Sequence, residues 1–146
     1  MIFSIENGTL TGRDGNETVR IEGWGRDALR VRATKNAGFS GLDKGLEPAE
    51  NGARAELTST GASVENGRIR CVVSGSGWME FFSGDKPILK EYYRDFRGAN
   101  PHSPSLKLSG REFRGRGTDW EVTARFEARA GEKIIGMGQY SSPTWT

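Results

Sequence analysis

The sequence has 146 residues, 34% of them hydrophobic, a formal net charge of +2 and a mean hydropathy of −0.62. This length fits one domain, residues 1–146, that can bury a core, and the absence of a long apolar run excludes a protein that crosses the bilayer by helices. The small net charge gives no reason to expect a nucleic acid as partner.

The N-terminal third predicts strands. Met1–Asn7 lacks the basic segment of a signal peptide, so we expect a cytoplasmic protein. In Thr18–Glu22 and Ala28–Thr34 every second residue is apolar. This period of two is typical of a strand with one face toward a core and the other toward water.

A polar stretch separates these strands from a hairpin signal. Lys35–Arg54 is poor in apolar residues and predicts a long loop. Ser63–Glu65 and Arg68–Val73 then flank Asn66-Gly67, a dipeptide that accepts the positive φ angles of a type I′ turn. We therefore expect a tight hairpin centred on Asn66-Gly67.

The single cysteine and the single histidine offer little chemistry. Cys71 excludes an internal disulfide and a cysteine-based zinc site, and its parity with Ile69 and Val73 predicts a small buried side chain. His102 lies in a loop bounded by prolines, where an exposed turn residue is the favoured interpretation. No metal site is expected.

The next segment allows two interpretations. Gly77–Phe82 followed by Ser83–Lys86 predicts a strand and a turn. In Ile88–Phe96 the apolar positions follow helical spacing, although a strand with two partly buried faces also fits. The neighbouring hairpin signals favour the strand.

The longest alternating run is Asp119–Arg129, preceded by shorter candidate strands at Ser105–Leu108 and Arg111–Arg114. One face of the long run is apolar, so we expect Trp120, like Trp78, to pack in the core rather than to stack on a sugar. The apolar face comprises Trp120, Val122, Ala124, Phe126 and Ala128.

Neither the basic cluster nor the glycine pattern near the C terminus predicts a ligand site. Arg111, Arg114 and Arg116 could mimic a nucleic-acid-binding strand, but nearby acids favour a solvated strand and turn. Gly136–Ser141 lacks the third glycine and the helix of a dinucleotide site, so no cofactor is expected. No pair of catalytic carboxylates stands out among the 19 acidic residues.

Eight to twelve short strands without a convincing helix predict an all-β fold, an antiparallel two-sheet β-sandwich. Within it, Gly131–Tyr140, with the sequence GEKIIGMGQY, resembles the segment that closes the N-terminal β-sandwich of glycoside hydrolase family 31, which includes α-glucosidases and α-xylosidases. Trp24–Arg32, Asn66–Ile69 and Leu89–Tyr92 resemble earlier parts of that domain in the same order. The resemblance implies a galactose-mutarotase-like sandwich.

The resemblance also implies a function. In that family the catalytic aspartates lie on a (β/α)₈ barrel that has no counterpart here, so no catalytic residue is carried over. We expect a fragment of a larger retaining α-glycosidase, truncated before the barrel, that packs on the barrel and helps wall a pocket for an α-linked oligosaccharide. Gln139 and Tyr140 match the stem of a pocket loop, and Trp145 is the third candidate substrate-binding residue.

Two further hypotheses stay open. A freestanding carbohydrate-binding module would need coplanar aromatic rings exposed away from the core. A fragment with an uncovered docking face would also be prone to self-association. Which α-glycoside the larger enzyme would cleave is not encoded in this segment.

Overall fold

The computed structural model describes residues 1–39, 49–96, 98 and 107–132. Over these residues the chain forms thirteen strands and no helix. In chain order the strands are β1 (Ile2–Glu6), β2 (Thr9–Asp14), β3 (Glu17–Gly23), β4 (Leu29–Thr34), β5 (Arg54–Thr58), β6 (Gly61–Asn66), β7 (Ile69–Ser74), β8 (Met79–Ser83), β9 (Lys86–Lys90), β10 (Arg94–Asp95), β11 (Lys107–Leu108), β12 (Arg111–Arg116) and β13 (Asp119–Ala124). No helix long and apolar enough to span a membrane occurs in this part of the chain.

Two antiparallel sheets make up the body of the molecule. Strands β1 to β4 form one sheet and β5 to β9 the other, each in chain order. The sheets contact each other through β1 to β4 on one side and β5 to β7 on the other. Two small hairpins, β10–β11 and β12–β13, complete the set of described strands. The two-sheet β-sandwich predicted from the sequence is confirmed.

The core lies between the two sheets and follows the predicted alternation. Cross-strand neighbours such as Leu10 with Ile21 and Val64 with Cys71 stand on the inner faces. Eight core side chains are 3% exposed or less: Leu10, Val19, Ile21, Ala62, Val64, Cys71, Val73 and Met79. Burial raises the pKa of the Cys71 thiol far above its usual range, so this residue is a core hydrophobe, as predicted.

The hairpin predicted at Asn66-Gly67 is confirmed, but the position of its turn is wrong by one residue. Asn66 pairs with Ile69 and is the last residue of β6, so the two-residue loop is Gly67-Arg68, with Gly67 at φ 59°. The Asn66 side chain is buried and donates hydrogen bonds of 2.7 Å to the carbonyls of Gly25 and Ala28. This amide is therefore used to hold a neighbouring loop and is not part of the turn.

Three strands, β1, β2 and β5, were not predicted. Strands β1 and β2 could have been predicted from the sequence, because the turn dipeptide Asn7-Gly8 separates them. Both residues have positive φ, 48° and 73°, and Glu6 pairs with Thr9, as a two-residue type I′ hairpin requires. Strand β5 is mostly exposed at the edge of its sheet and carries little hydrophobic pattern. Its sequence gives no comparable signal.

The segment with the helical spacing is extended. Ile88 and Leu89 belong to β9, and Arg94 begins β10, so the favoured strand interpretation is confirmed. Between them, Glu91 forms a bridge with Phe126, and the Tyr92 amide donates to the carbonyl of Arg125 at 2.9 Å. This pairing joins the end of the β12–β13 hairpin to the edge of the five-stranded sheet.

A buried ion pair fixes the start of the same hairpin. The Arg111 guanidinium binds the carboxylate of Glu91, which is 2% exposed, and donates to Glu17 Oε1 and the carbonyl of Gly77, both at 2.8 Å. Glu91 also accepts a 2.8 Å bond from the amide of Met79. Burial alone would lower the pKa of Arg111, but the two carboxylates outweigh it and raise that pKa. One side chain thus connects the hairpin with both sheets.

Candidate functional site

The candidate substrate-binding residues Gln139, Tyr140 and Trp145 lie outside the described residues, as does His102. Their predicted roles stay predictions. Where the chain is described, no group of three or more His, Cys, Asp or Glu side chains could hold a metal ion. Among the described residues, the strongest candidate is therefore the surface around the β12–β13 hairpin.

Two of the tryptophans are covered by cations. The guanidinium of Arg30 lies 3.6 Å from the ring centre of Trp24, and Lys90 Nζ lies 5.3 Å from that of Trp78. Both rings are half-buried. On each ring the face toward the cation is therefore not free for a sugar to stack on.

Trp120 does not pack in the core, contrary to the prediction. It is 37% exposed, and Val122 and Phe126 from the same predicted face are 52% and 44% exposed. The three side chains form what we call the apolar hairpin face. The alternation of the strand is as expected, but the second sheet of the sandwich does not extend over this hairpin in the described structure, so its apolar side meets solvent.

Trp120 is nevertheless held in a defined position. Its ring meets that of Phe113 edge to face, with centroids 6.3 Å apart and planes at 84°, and its Nε1 donates to Asn36 Oδ1 at 3.0 Å. Lys35 Nζ lies 5.5 Å from the Phe113 ring centre and 5.7 Å from that of Trp120, within cation–π range. The end of β4 and the hairpin are thus joined by an aromatic pair and a lysine.

A groove of about 440 Å³, here called the hairpin groove, opens beside this pair. Two of its cations are already neutralised, because Arg111 binds Glu17 and Arg125 Nη2 donates to Glu112 Oε2 at 2.5 Å. The hydrogen bond from Arg125 lowers the pKa of the Glu112 carboxyl. The groove is lined by Glu17, Lys35, Lys107, Leu108, Ser109, Arg111, Glu112, Phe113 and Arg125.

Two lysines of the groove have no such partner. Neither Lys35 nor Lys107 forms an ion pair with any carboxylate of the described residues. The groove lining carries four cations and two carboxylates, and Glu91 behind Arg111 brings the local excess to one positive charge. Neither lysine stands out in the sequence, because a single lysine at the start of a loop or in a two-residue strand forms no motif.

The other face of the hairpin matches the prediction of a wet surface. Arg116 and Glu121 form an exposed ion pair at 2.6 Å. Within the predicted basic cluster, however, Arg111 is not solvated, since its side chain is only 11% exposed and lies in the buried ion pair. Arg111 therefore differs from Arg114 and Arg116, which are both exposed.

The fold and sequence were compared with known proteins. No protein-family model matches the chain. The chain is 37% identical, over 139 aligned residues, to "Uncharacterized family 31 glucosidase ORF2" of Pseudescherichia vulneris, covering 87% of this chain and 26% of that protein. Its structure matches the crystal structure of a GH31 α-xylosidase from a soil metagenome complexed with xylose, with a TM-score of 0.85 and 31% identity over 99% of this chain. It covers 23% of that enzyme. The predicted resemblance to glycoside hydrolase family 31 is confirmed.

Proposed function

We propose that this chain, whose sequence and fold are related to those of glycoside hydrolase family 31, is the non-catalytic N-terminal β-sandwich of a larger retaining α-glycosidase. In that enzyme it packs on a catalytic barrel and walls one side of the pocket for an α-linked oligosaccharide. The chemistry, a double displacement at the anomeric carbon, belongs to the barrel. A cytoplasmic location is part of the same proposal.

The exposed apolar hairpin face carries this proposal. Trp120 and Val122 in β13 and Phe126 just after it expose between 37% and 52% of their surface, whereas the eight core side chains between the two sheets are 3% exposed or less. A cluster of exposed apolar side chains on a soluble protein is typical of an interaction surface. The chain spans about a quarter of the length of each relative, which leaves room for a large domain that covers this face.

Thermal unfolding tests the proposal. We expect the sandwich to unfold at a higher temperature when it is joined to the remainder of its reading frame than when it is alone, because docking stabilises only the folded state. The same comparison with Trp120→Ser should show a smaller gain. An unchanged unfolding temperature on joining would contradict docking.

A freestanding carbohydrate-binding module is the second candidate, and Trp120 is the observation that favours it. Its ring is partly exposed and is held rigidly by Phe113 and Asn36. Titration of the chain with xylo- and malto-oligosaccharides, followed by tryptophan fluorescence, separates the two functions. We expect no saturable response, whereas a saturable one that Trp120→Ser abolishes would establish the module.

A further inference from the structure

We propose that the hairpin groove is a docking site for an acidic segment of the larger polypeptide, in which a carboxylate binds between Lys35 and Lys107 and an apolar neighbour covers Trp120. This inference rests on the proposed function and specifies the chemistry of its interface. The occupant belongs to the part of the enzyme that the chain does not span, about three quarters of the length of either relative.

The charges of the groove determine what can fill it. Glu17 and Glu112 pair with Arg111 and Arg125, and neither forms an ion pair with Lys35 or Lys107. A neutral or basic segment seated there would desolvate the two ammonium groups without compensation, which costs free energy. A carboxylate supplies the missing charge, and the low dielectric of a covered groove strengthens that attraction.

The position of Lys35 also determines which kind of residue must adjoin the acid of the partner. The Phe113 and Trp120 rings both lie within 6 Å of its ammonium group, so the lysine is held beside the apolar hairpin face. A partner that reaches Lys35 with an acid therefore meets exposed aromatic surface with the adjoining residue. Interfaces commonly combine a buried aromatic anchor with a charged contact in this way.

The C-terminal segment that follows Glu132 contains no acidic residue. Residues 133–146, with the sequence KIIGMGQYSSPTWT, contain no Asp or Glu. That segment can contribute apolar contacts but not the carboxylate. We therefore assign the carboxylate to the domain that the proposed function places beside the sandwich.

Binding between the chain and the remainder of the reading frame, expressed as a separate polypeptide, tests this inference by calorimetry. We expect the double variant Lys35→Glu/Lys107→Glu to bind roughly tenfold more weakly than the wild type, because charge reversal at an interface replaces attraction with repulsion. Binding of the wild type should weaken as salt is added, and the salt dependence should be smaller in the double variant.

Control variants test whether weaker binding is caused by the charge of the groove lysines. Lys35→Arg/Lys107→Arg should retain binding, and Lys86→Glu, an exposed charge reversal at the β8–β9 turn, should leave it unchanged. Unfolding curves of the isolated variants check that each one is folded. Equal weakening by Lys86→Glu and by the groove variant would overturn the inference, since it would show a general charge effect.

The outcomes distinguish this inference from the function on which it rests. If the wild type binds and the groove variant binds equally well, docking stands and the acidic contact is overturned. If the wild type does not bind at all, both are overturned. Dimerisation of the chain that the groove variant abolishes, measured by light scattering, would assign the groove to a second copy and also overturn the inference.

Discussion

The sandwich body and the β12–β13 hairpin share one sequence pattern but differ in burial. In β3 of the body, Val19 and Ile21 stand two residues apart and are only 3% and 1% exposed. In the hairpin, Trp120 and Val122 occupy equivalent alternating positions and are 37% and 52% exposed. The alternation fixes which side chains share a face of a strand. Whether that face is covered depends on a second surface, and for the hairpin this surface is not among the described strands.

The two regions also use ion pairs differently. The Arg111–Glu91 pair is buried and connects the hairpin with the body, whereas the Arg116–Glu121 pair lies in solvent near the hairpin tip. A buried pair whose members are separated leaves a charge without compensation, while an exposed one is replaced by water. The comparison therefore predicts that the same Glu→Ala substitution destabilises the fold much more in the buried pair than in the exposed one.

The largest expected effect is from Glu91→Ala, which removes one of the two carboxylates that bind Arg111 and the acceptor of the Met79 amide. We expect a loss of about 2–4 kcal/mol in the free energy of unfolding, since the guanidinium keeps only Glu17 and the Gly77 carbonyl and a buried amide loses its acceptor. Urea denaturation of the isolated chain measures it. The matched control, Glu121→Ala, should cost no more than about 1 kcal/mol. Similar costs for the two would show that burial does not distinguish the pairs.

Two Val→Ala substitutions compare the loss of stability in the core with the loss on the apolar hairpin face. Val64→Ala removes a fully buried side chain and should destabilise the isolated chain by about 2 kcal/mol through lost burial and a cavity. Val122→Ala, at a position 52% exposed, should cost less than about 0.5 kcal/mol. Denaturant titration gives both values. In the joined protein the cost of Val122→Ala should rise, and an unchanged cost would indicate that this face stays open.

The smallest expected effect concerns acid stability. The hydrogen bond from Arg125 lowers the pKa of Glu112 in the folded state, so between the folded and unfolded pKa values the unfolded chain binds more protons. The resulting stabilisation is present above the unfolded pKa and is lost as pH falls through the folded pKa. Glu112→Gln lacks this contribution, so its melting temperature should fall less than that of the wild type on acidification. If the melting temperatures of the two proteins fall in parallel as the pH is lowered, Glu112 makes no such contribution.

Much of the fold could be predicted from residue patterns. Strands β3, β4, β6 and β7 follow from alternation, and the buried state of Cys71 follows from its parity with Val73. Strand β5 could not be predicted, since it is an exposed edge strand paired through its backbone, and backbone pairing leaves no trace in side-chain pattern. The turn at Gly67-Arg68 was misplaced because Asn66 is needed by a loop forty residues away in sequence.

The sequence by itself determined an all-β fold, the composition of each strand face and the relationship to family 31, because side-chain period and local motifs are properties of neighbouring residues. The tertiary structure alone decided that Arg111 lies in a buried ion pair, that Trp120 is open to solvent, and that Lys35 and Lys107 share a groove. Each of these depends on contacts between strands far apart in the chain, and burial and charge pairing are set by what lies opposite in space.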